Sequence, residues 1–290
     1  MEEIRERYIN PLTDFGFKRL FGTEFNKELL ISFLNTLLDG EQEVVDISYL
    51  NAEQLGQMPD SRRATFDVYC MNDKGERFIV EMQNVFQKFF KDRSIYYSTF
   101  PIREQAKRGE DWDFHLNGVY TVGLLNFTFP EDEDDGASVT CPWHHKVKLV
   151  DIDRGTIFYD KLTYVYEEIP KFYKAENELE TMFDKWMFVL RNLSRLMDRP
   201  AALQDRVFTH LFEQAEIAKF NKMELAQYED SVRTYRDIAN AIKTAEDIKF
   251  AEGRTKEKWD IAKTMLADGV PIETIVKYTG LSPEQINGIK

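Results

Sequence analysis

The sequence predicts a mixed α/β portion followed by an all-helical one, and three observations carry this reading. Residues 62–83, RRATFDVYCMNDKGERFIVEMQ, place strand-forming residues on either side of a turn, as a β-hairpin does. Before residue 40, apolar side chains recur at helical spacing. From Asn177 onward the chain has few Gly or Pro until Gly253 and reads as helix. The change of character near 170–176 sets the expected division: an α/β domain over 1–175 and a helical region over 176–290.

The elements follow in order. Thr13 or Asp14 can cap a short helix through Phe15, Phe17, Leu20 and Phe21, which Gly22 stops. Asn26 can start a second helix, whose stripe is Leu29, Leu30, Phe33, Leu34, Leu37 and Leu38, with Gly40 at its end. Residues 44–49 form a strand and 51–60 a loop. Strands over 63–71 and 76–84 are joined by Asn72-Asp73-Lys74-Gly75. Residues 86–109 read as an aromatic helix, kinked or interrupted at Pro101. A strand over 118–129 precedes the acidic loop 131–135, and two short β segments, 146–150 and 156–166, flank Asp151 and Asp153. No internal repeat is present.

Composition excludes several classes. The 290 residues hold 38 basic and 51 acidic side chains, a formal charge of −13, with 43% hydrophobic and 13% aromatic content. That is ample for a core, so whole-chain disorder is excluded. The parts before and after residue 130 carry −6 and −7, so neither is a basic nucleic-acid coat. A polyanion must be met through a local patch or a bound metal. Cys70 and Cys141 have no CxxC spacing, which fits a reducing compartment. The N-terminus lacks the apolar run of a signal peptide, and no apolar stretch is long enough to span a membrane. A soluble, cytoplasmic protein is expected.

The hairpin holds the most chemistry. A three-residue loop, Asp73-Lys74-Gly75, ends in a residue that can take the left-handed conformation, and sets Asn72 against Glu76. Asp67 then faces Glu81. A two-residue loop would misalign them. Alternation puts Thr65, Asp67, Tyr69, Ile79, Glu81 and Gln83 on one face. Ala64, Phe66, Val68, Cys70, Phe78, Val80 and Met82 lie on the other, the expected core face. Facing carboxylates repel, and a divalent cation offsets this: Mg²⁺ takes one or two carboxylates, water and phosphate oxygens. Such a platform suits phosphodiester hydrolysis; otherwise it is the polar outer face of a half-exposed hairpin. The helix that follows holds Lys88, Lys91, Arg93, Arg103, Lys107 and Arg108 against Asp92 and Glu104, a net +4, and Arg62 and Arg63 precede the hairpin. These cations can meet phosphates, or form an ordinary solvated face.

NPLTDFGFKRLFG (10–22), LLISFLNTLL (29–38), TFDVYC with GERFIVEMQ (65–83), RSIYYS (93–98), IPKFYK (169–174) and AKTMLADGVPIETIVKYTGLSPEQI (262–286) together resemble the PD-(D/E)XK nuclease family transposases, or Rpn (recombination-promoting nuclease) family. The resemblance spans nearly the whole chain. It implies a restriction-endonuclease-like core, αβββαβ with a mixed central sheet flanked by helices, followed by the all-helical C-terminal region. It implies a Mg²⁺-dependent endodeoxyribonuclease linked to recombination or mobile elements, with Mn²⁺ able to substitute. Asp67 and Glu81 become the metal-binding carboxylates, and Gln83 stands where such cores usually have a lysine. Glutamine can orient water but brings no charge; Lys88 or Lys91 can supply a migrated cation. Asp14 or Glu24 is the further acidic residue, Asp14 being equally readable as a helix cap. Arg93 and Tyr97, one turn apart, face the site by resemblance, with Lys88, Lys91 and Arg93 contacting DNA phosphates. A nuclease-fold protein of weak or no activity that binds DNA or protein is the alternative.

Weaker signals remain. Cys141, His144 and His145 have a poor zinc spacing. Ser282-Pro283-Glu284-Gln285 is a capping-box helix start that completes a helix-turn-helix-like tail. Its short last helix offers Glu284, Gln285 and Asn287 but few cations, which favours packing or self-association over base reading. The long helices before it can mediate a homodimer.

Overall fold

The structure, a computed structural model, describes residues 6–38, 43–54, 64–106, 113–130 and 141–289. It comprises two compact units, Met1–Arg233 and Thr234–Lys290. Gly40, Arg62, Arg63, Lys107, Arg108 and the acidic run 131–135 lie outside the described residues.

In the first unit, α1 (Asp14–Phe21) and α2 (Lys27–Leu37) precede β1 (Ile47–Tyr49). Thr13 is the cap of α1, accepting from the Gly16 amide. Asp14 therefore occupies the first helical turn, where its carboxylate meets Lys18 at 2.7 Å. Next come β2 (Glu53–Gln54), β3 (Ala64–Thr65), β4 (Val68–Asn72), β5 (Arg77–Gln83), α3 (Phe90–Glu104) and β6 (Val119–Leu125). The sheet ends with β7 (His144–Asp151) and β8 (Thr156–Glu168). Six strands make one mixed sheet in the order β1-β4-β5-β6-β8-β7. β6 is parallel to both β5 and β8, and the other pairings are antiparallel. Every residue of β6 is buried, as a strand covered on both faces requires.

The hairpin turns as its loop residues dictate. Gly75 has φ +76°, and Asn72 Oδ1 accepts from the amides of Lys74 and Glu76 at 3.1 and 2.9 Å. The register runs from Met71 opposite Arg77 to Val68 opposite Val80. The expected strand 63–71 does not continue through residues 66–67. Ala64–Thr65 instead pairs with Glu53–Gln54, inside the expected loop, as a separate two-stranded ladder. This break turns Phe66 onto the face of Tyr69 and Ile79, where the three pack with Phe100 of α3. Both hairpin faces are thus covered, since Val68, Cys70, Phe78 and Val80 are buried on the other.

Helix α3 lies across the first of these faces. Residues spaced four apart, Phe90, Ser94 and Ser98, are all buried. Ser94 and Ser98 hydrogen-bond Tyr166 and Tyr164 of β8 at 2.7 and 2.8 Å, and Tyr69 donates to Glu104.

Helices α4 (Met182–Asn192) and α5 (Arg206–Ala215) pack with α1 and α2. Their centre is Trp186, fully buried, with ring neighbours Phe21, Phe33 and Phe208. The compositional change near 170–176 marks the end of the sheet, while the compact unit closes later, at Arg233, because these helices pack against the first two. IPKFYK is the connector: Ile169 and Phe172 are buried, and Lys174 pairs with Asp184 at the start of α4.

Helix α6 (Lys222–Ala267) runs into the second unit, which adds α7 (Ile272–Thr279) and α8 (Pro283–Asn287). Ala262, Ile275, Leu281 and Ile286 form its core. Gly280 closes α7, and Ser282 caps α8 with Gln285 completing the box.

Candidate active site

The break before β4 positions Asp67. It sits outside the ladder, yet its amide donates to Glu81 Oε1 at 3.3 Å, and its Oδ2 accepts from the Met82 amide at 2.8 Å. The two half-buried carboxylates are tied to each other's strands, and neither takes part in an ion pair among the described residues. Burial raises the Asp67 carboxyl, against the Met82 amide and the charges of Lys18 and Arg93. Glu81 is pushed up to about 8, first by burial and then by the charge of Asp67. One carboxyl of the pair therefore retains a proton near neutrality unless a cation arrives.

Gln83 extends the network. Its Nε2 donates to Glu81 Oε2 at 3.1 Å, and its Oε1 accepts from Arg93 Nη2 at 2.5 Å. Arg93 Nη1 reaches Gln87 at 2.7 Å. Glu81, Gln83, Arg93 and Tyr97 line one pocket with Thr121 and Gly123 of β6. Gly123 is fixed by close approach: a Cβ there would lie 2.9 Å from the Tyr166 ring. Thr121 Oγ1 is buried and has no hydrogen-bond partner among the described residues.

The other expected residues are distributed unevenly. Asp14 is exposed, and its charge acts on Asp67 together with that of Lys18. The Asn84 side chain donates to Leu12 O at 2.9 Å, which holds the entry to α1 beside the end of β5. Glu24 sits apart, in the turn before α2, paired with Lys27 at 3.0 Å. Lys88 lies over the exposed Phe89 ring at 5.5 Å, and Lys91 over Phe129 at 4.9 Å. Both are exposed, Lys88 in the segment that leads into α3 and Lys91 in its first turn. The cation that reaches Gln83 is Arg93.

The zinc spacing resolves into separate pairs. His144 meets Glu167 at 2.7 Å and His145 meets Glu168 at 3.0 Å. Asp151 accepts from Arg154 in the β7–β8 turn. Among the described residues no three His, Cys, Asp or Glu side chains group to hold a metal. Among the described residues the Asp67–Glu81 site therefore holds two carboxylates.

Sequence reasoning missed Ser94, Thr121, Gly123 and Tyr166. Serines four apart inside an aromatic helix were the available signal for the α3 anchors. Thr121 and Gly123 gave none, because only the parallel register of β6 brings Gly123 opposite Glu81.

A mixed sheet bearing an acidic pair on adjacent central strands, roofed by a helix that offers an arginine, is a PD-(D/E)XK nuclease-type architecture. Residues 11–245 match the PD-(D/E)XK nuclease family transposase family, and the chain belongs to it. Residues 255–290 match the C-terminal HTH domain of the Rpn/YhgA-like nuclease family. Neither the curated proteins nor the solved structures gave a match. No helix among the described residues is long and apolar enough to cross a membrane.

Proposed function

We propose that the protein is a divalent-metal-dependent endodeoxyribonuclease that uses Mg²⁺, or Mn²⁺ in its place, held by Asp67 and Glu81. The observation that carries this is the acidic pair itself: two half-buried carboxylates, both raised by burial and Glu81 also by the charge of Asp67, with no ion-pair partner among the described residues. The donor set fits the ion, since hard cations prefer carboxylate oxygen and Mg²⁺ needs few protein ligands. When bound, the cation supplies Lewis-acid polarisation of a phosphate and lowers the pKa of a bound water. Gln83, locked between Glu81 and Arg93, orients the attacking water, and Arg93 provides positive charge beside it. Lys88, just before α3, and Lys91, in its first turn, are exposed and meet backbone phosphates. Asp14 tunes Asp67 through space.

The HTH match supports DNA as partner, and the transposase family supports recombination or mobile-element biology as setting. We place the chain in the cytoplasm, and assign a homodimer contact to the helical C-terminal region 176–290. Loss of the dimer on sedimentation after removing 254–290 checks that contact.

The test of the function is nicking of supercoiled DNA. Mg²⁺-dependent nicking is expected, and is lost in Asp67→Ala. Equal nicking by both proteins overturns the site. A second reading, a nuclease-fold binding module without turnover, draws on Gln83: an amide stands at this position, with both of its ends already engaged. Calorimetry that detects no divalent-ion binding favours it.

A further inference from the structure

Beside the carboxylate pair, the approach to α3 exposes aromatic rings together with cations. Phe89 is 66% exposed and Phe86 40%. Single exposed rings are ordinary on a protein surface, and what distinguishes these is that two of them are grouped beside the site with cations, as on an interaction surface. Here the segment is fastened to the site: Arg93 bridges Gln87 of the segment and Gln83 of the acidic network. Phe86 packs edge-on against Phe127 at 5.5 Å, and Phe127 against Phe90, a wall of the pocket that holds Glu81. Phe86 is the exposed end of a fixed aromatic array. Phe89 carries Lys88 over its ring, so an aromatic face and an ammonium are offered together.

Resting on the nuclease reading of this site, we infer that the segment Phe86–Phe89 stacks unpaired bases, so that the substrate is DNA with a single-stranded stretch at the cut. Charge complementarity commits the surface to a polyanion: Lys88, Lys91 and Arg93 lie on or beside it, while the chain as a whole carries −13. Stacking commits it to unpaired strands. In a duplex every base face is already covered by its neighbours, so an exposed ring finds a partner only where a base is unstacked. The balance of charge agrees. A duplex needs a broad basic footprint, which an acidic chain does not offer, whereas an unpaired strand gains affinity from stacking with few phosphate contacts.

The test uses the full chain in metal-free buffer at fixed low salt, with fluorescence anisotropy as the readout. Three probes are compared: an unpaired oligothymidylate, a duplex of the same length, and an abasic strand that keeps the phosphates and lacks the bases. Oligothymidylate is expected to bind more tightly than either of the others. Phe86→Ala/Phe89→Ala is expected to lose roughly tenfold on oligothymidylate and to bind the abasic strand as wild type does. Phe89→Trp retains affinity, which separates loss of stacking from loss of fold. Equal affinity for oligothymidylate and the abasic strand, or an unchanged double variant, overturns the inference. Cleavage does not enter this readout: a chain that shows the stacking signature and cuts nothing sinks the nuclease reading and leaves the stacking platform standing.

Discussion

Arg93 Nη2 donates to Gln83 Oε1 at 2.5 Å, and this contact fixes which way the Gln83 amide points. Its nitrogen is left facing Glu81 Oε2, 3.1 Å away. An amide held so is no base, and its oxygen retains one lone pair for water. The positive charge that a lysine would bring stands one residue further out, on the guanidinium. Arg93→Ala and Gln83→Ala should each lower single-turnover cleavage about 100-fold, the scale of a misplaced reacting group. The double variant should be little worse than either single one, because both changes break one unit. Arg93→Lys should recover only part of the rate, since a point charge cannot span Gln83 and Gln87 as the fork does. Additive losses would separate the two residues.

The acidic pair is set against stability. Glu81 is pushed up to about 8 by burial and by Asp67, so the folded chain binds its proton more tightly than the unfolded chain does. Stability from that proton is complete below the unfolded value and is lost as pH rises towards 8. Glu81→Gln removes the loss. In metal-free buffer at pH 8 it should raise Tm by about 2–4 °C, the shift that ~1 kcal/mol produces in a chain of this size. Mn²⁺ should raise the wild-type Tm further and leave Glu81→Gln unmoved. Thermal scans with and without the ion check both halves, and a variant that melts below wild type refutes the first.

The site was legible where local chemistry sets geometry. Asn72 and Gly75 close a three-residue loop, and that loop determines the register opposite Glu76. What failed was continuity. Nothing in RRATFDVYC announces that the strand breaks at residues 66–67, because the break is decided by a nonlocal pairing of Thr65 with Glu53. Phe66 accordingly changes face, and Tyr69 and Ile79, expected beside the carboxylates on an open surface, are sealed beneath α3. The cation was a similar case. Periodicity places Lys88, Lys91 and Arg93 on one helix start, and only the packing angle selects Arg93. That angle depends on Ser94 and Ser98 finding tyrosines some seventy residues away, which no local pattern encodes.

Those serines predict how the helix is held. Tyr166→Phe removes the partner of a buried hydroxyl at Ser94 and should destabilise the fold by about 1–3 kcal/mol. Adding Ser94→Ala should recover part of that loss, since no buried donor is then left unmatched. Both variants leave Arg93 in sequence but loosen its helix, so cleavage should fall with Tyr166→Phe. Urea denaturation of Tyr166→Phe, Ser94→Ala and the double variant decides the point: a double variant as unstable as the sum of its singles would show that the pair is not coupled.

Glu167 is buried on β8, with Oε1 against His144 Nδ1 at 2.7 Å and Oε2 without a hydrogen-bond partner among the described residues. It is pushed up to about 7, chiefly by burial, against the hydrogen bond and charge of His144 and the charges of His145 and Lys146. Its ordinary value is 4.5, so the folded chain retains this proton over a range where the unfolded chain has released it. The stabilisation is complete below about 4.5 and falls away as pH climbs to 7, where burying the ionised form opposes folding. Glu167→Gln keeps a neutral side chain of the same shape at every pH. Relative to wild type, the variant should gain stability steadily between pH 5 and pH 7 and change little beyond. Urea midpoints measured across that interval test it: a difference that stays constant with pH would mean that Glu167 is ionised throughout in the folded chain.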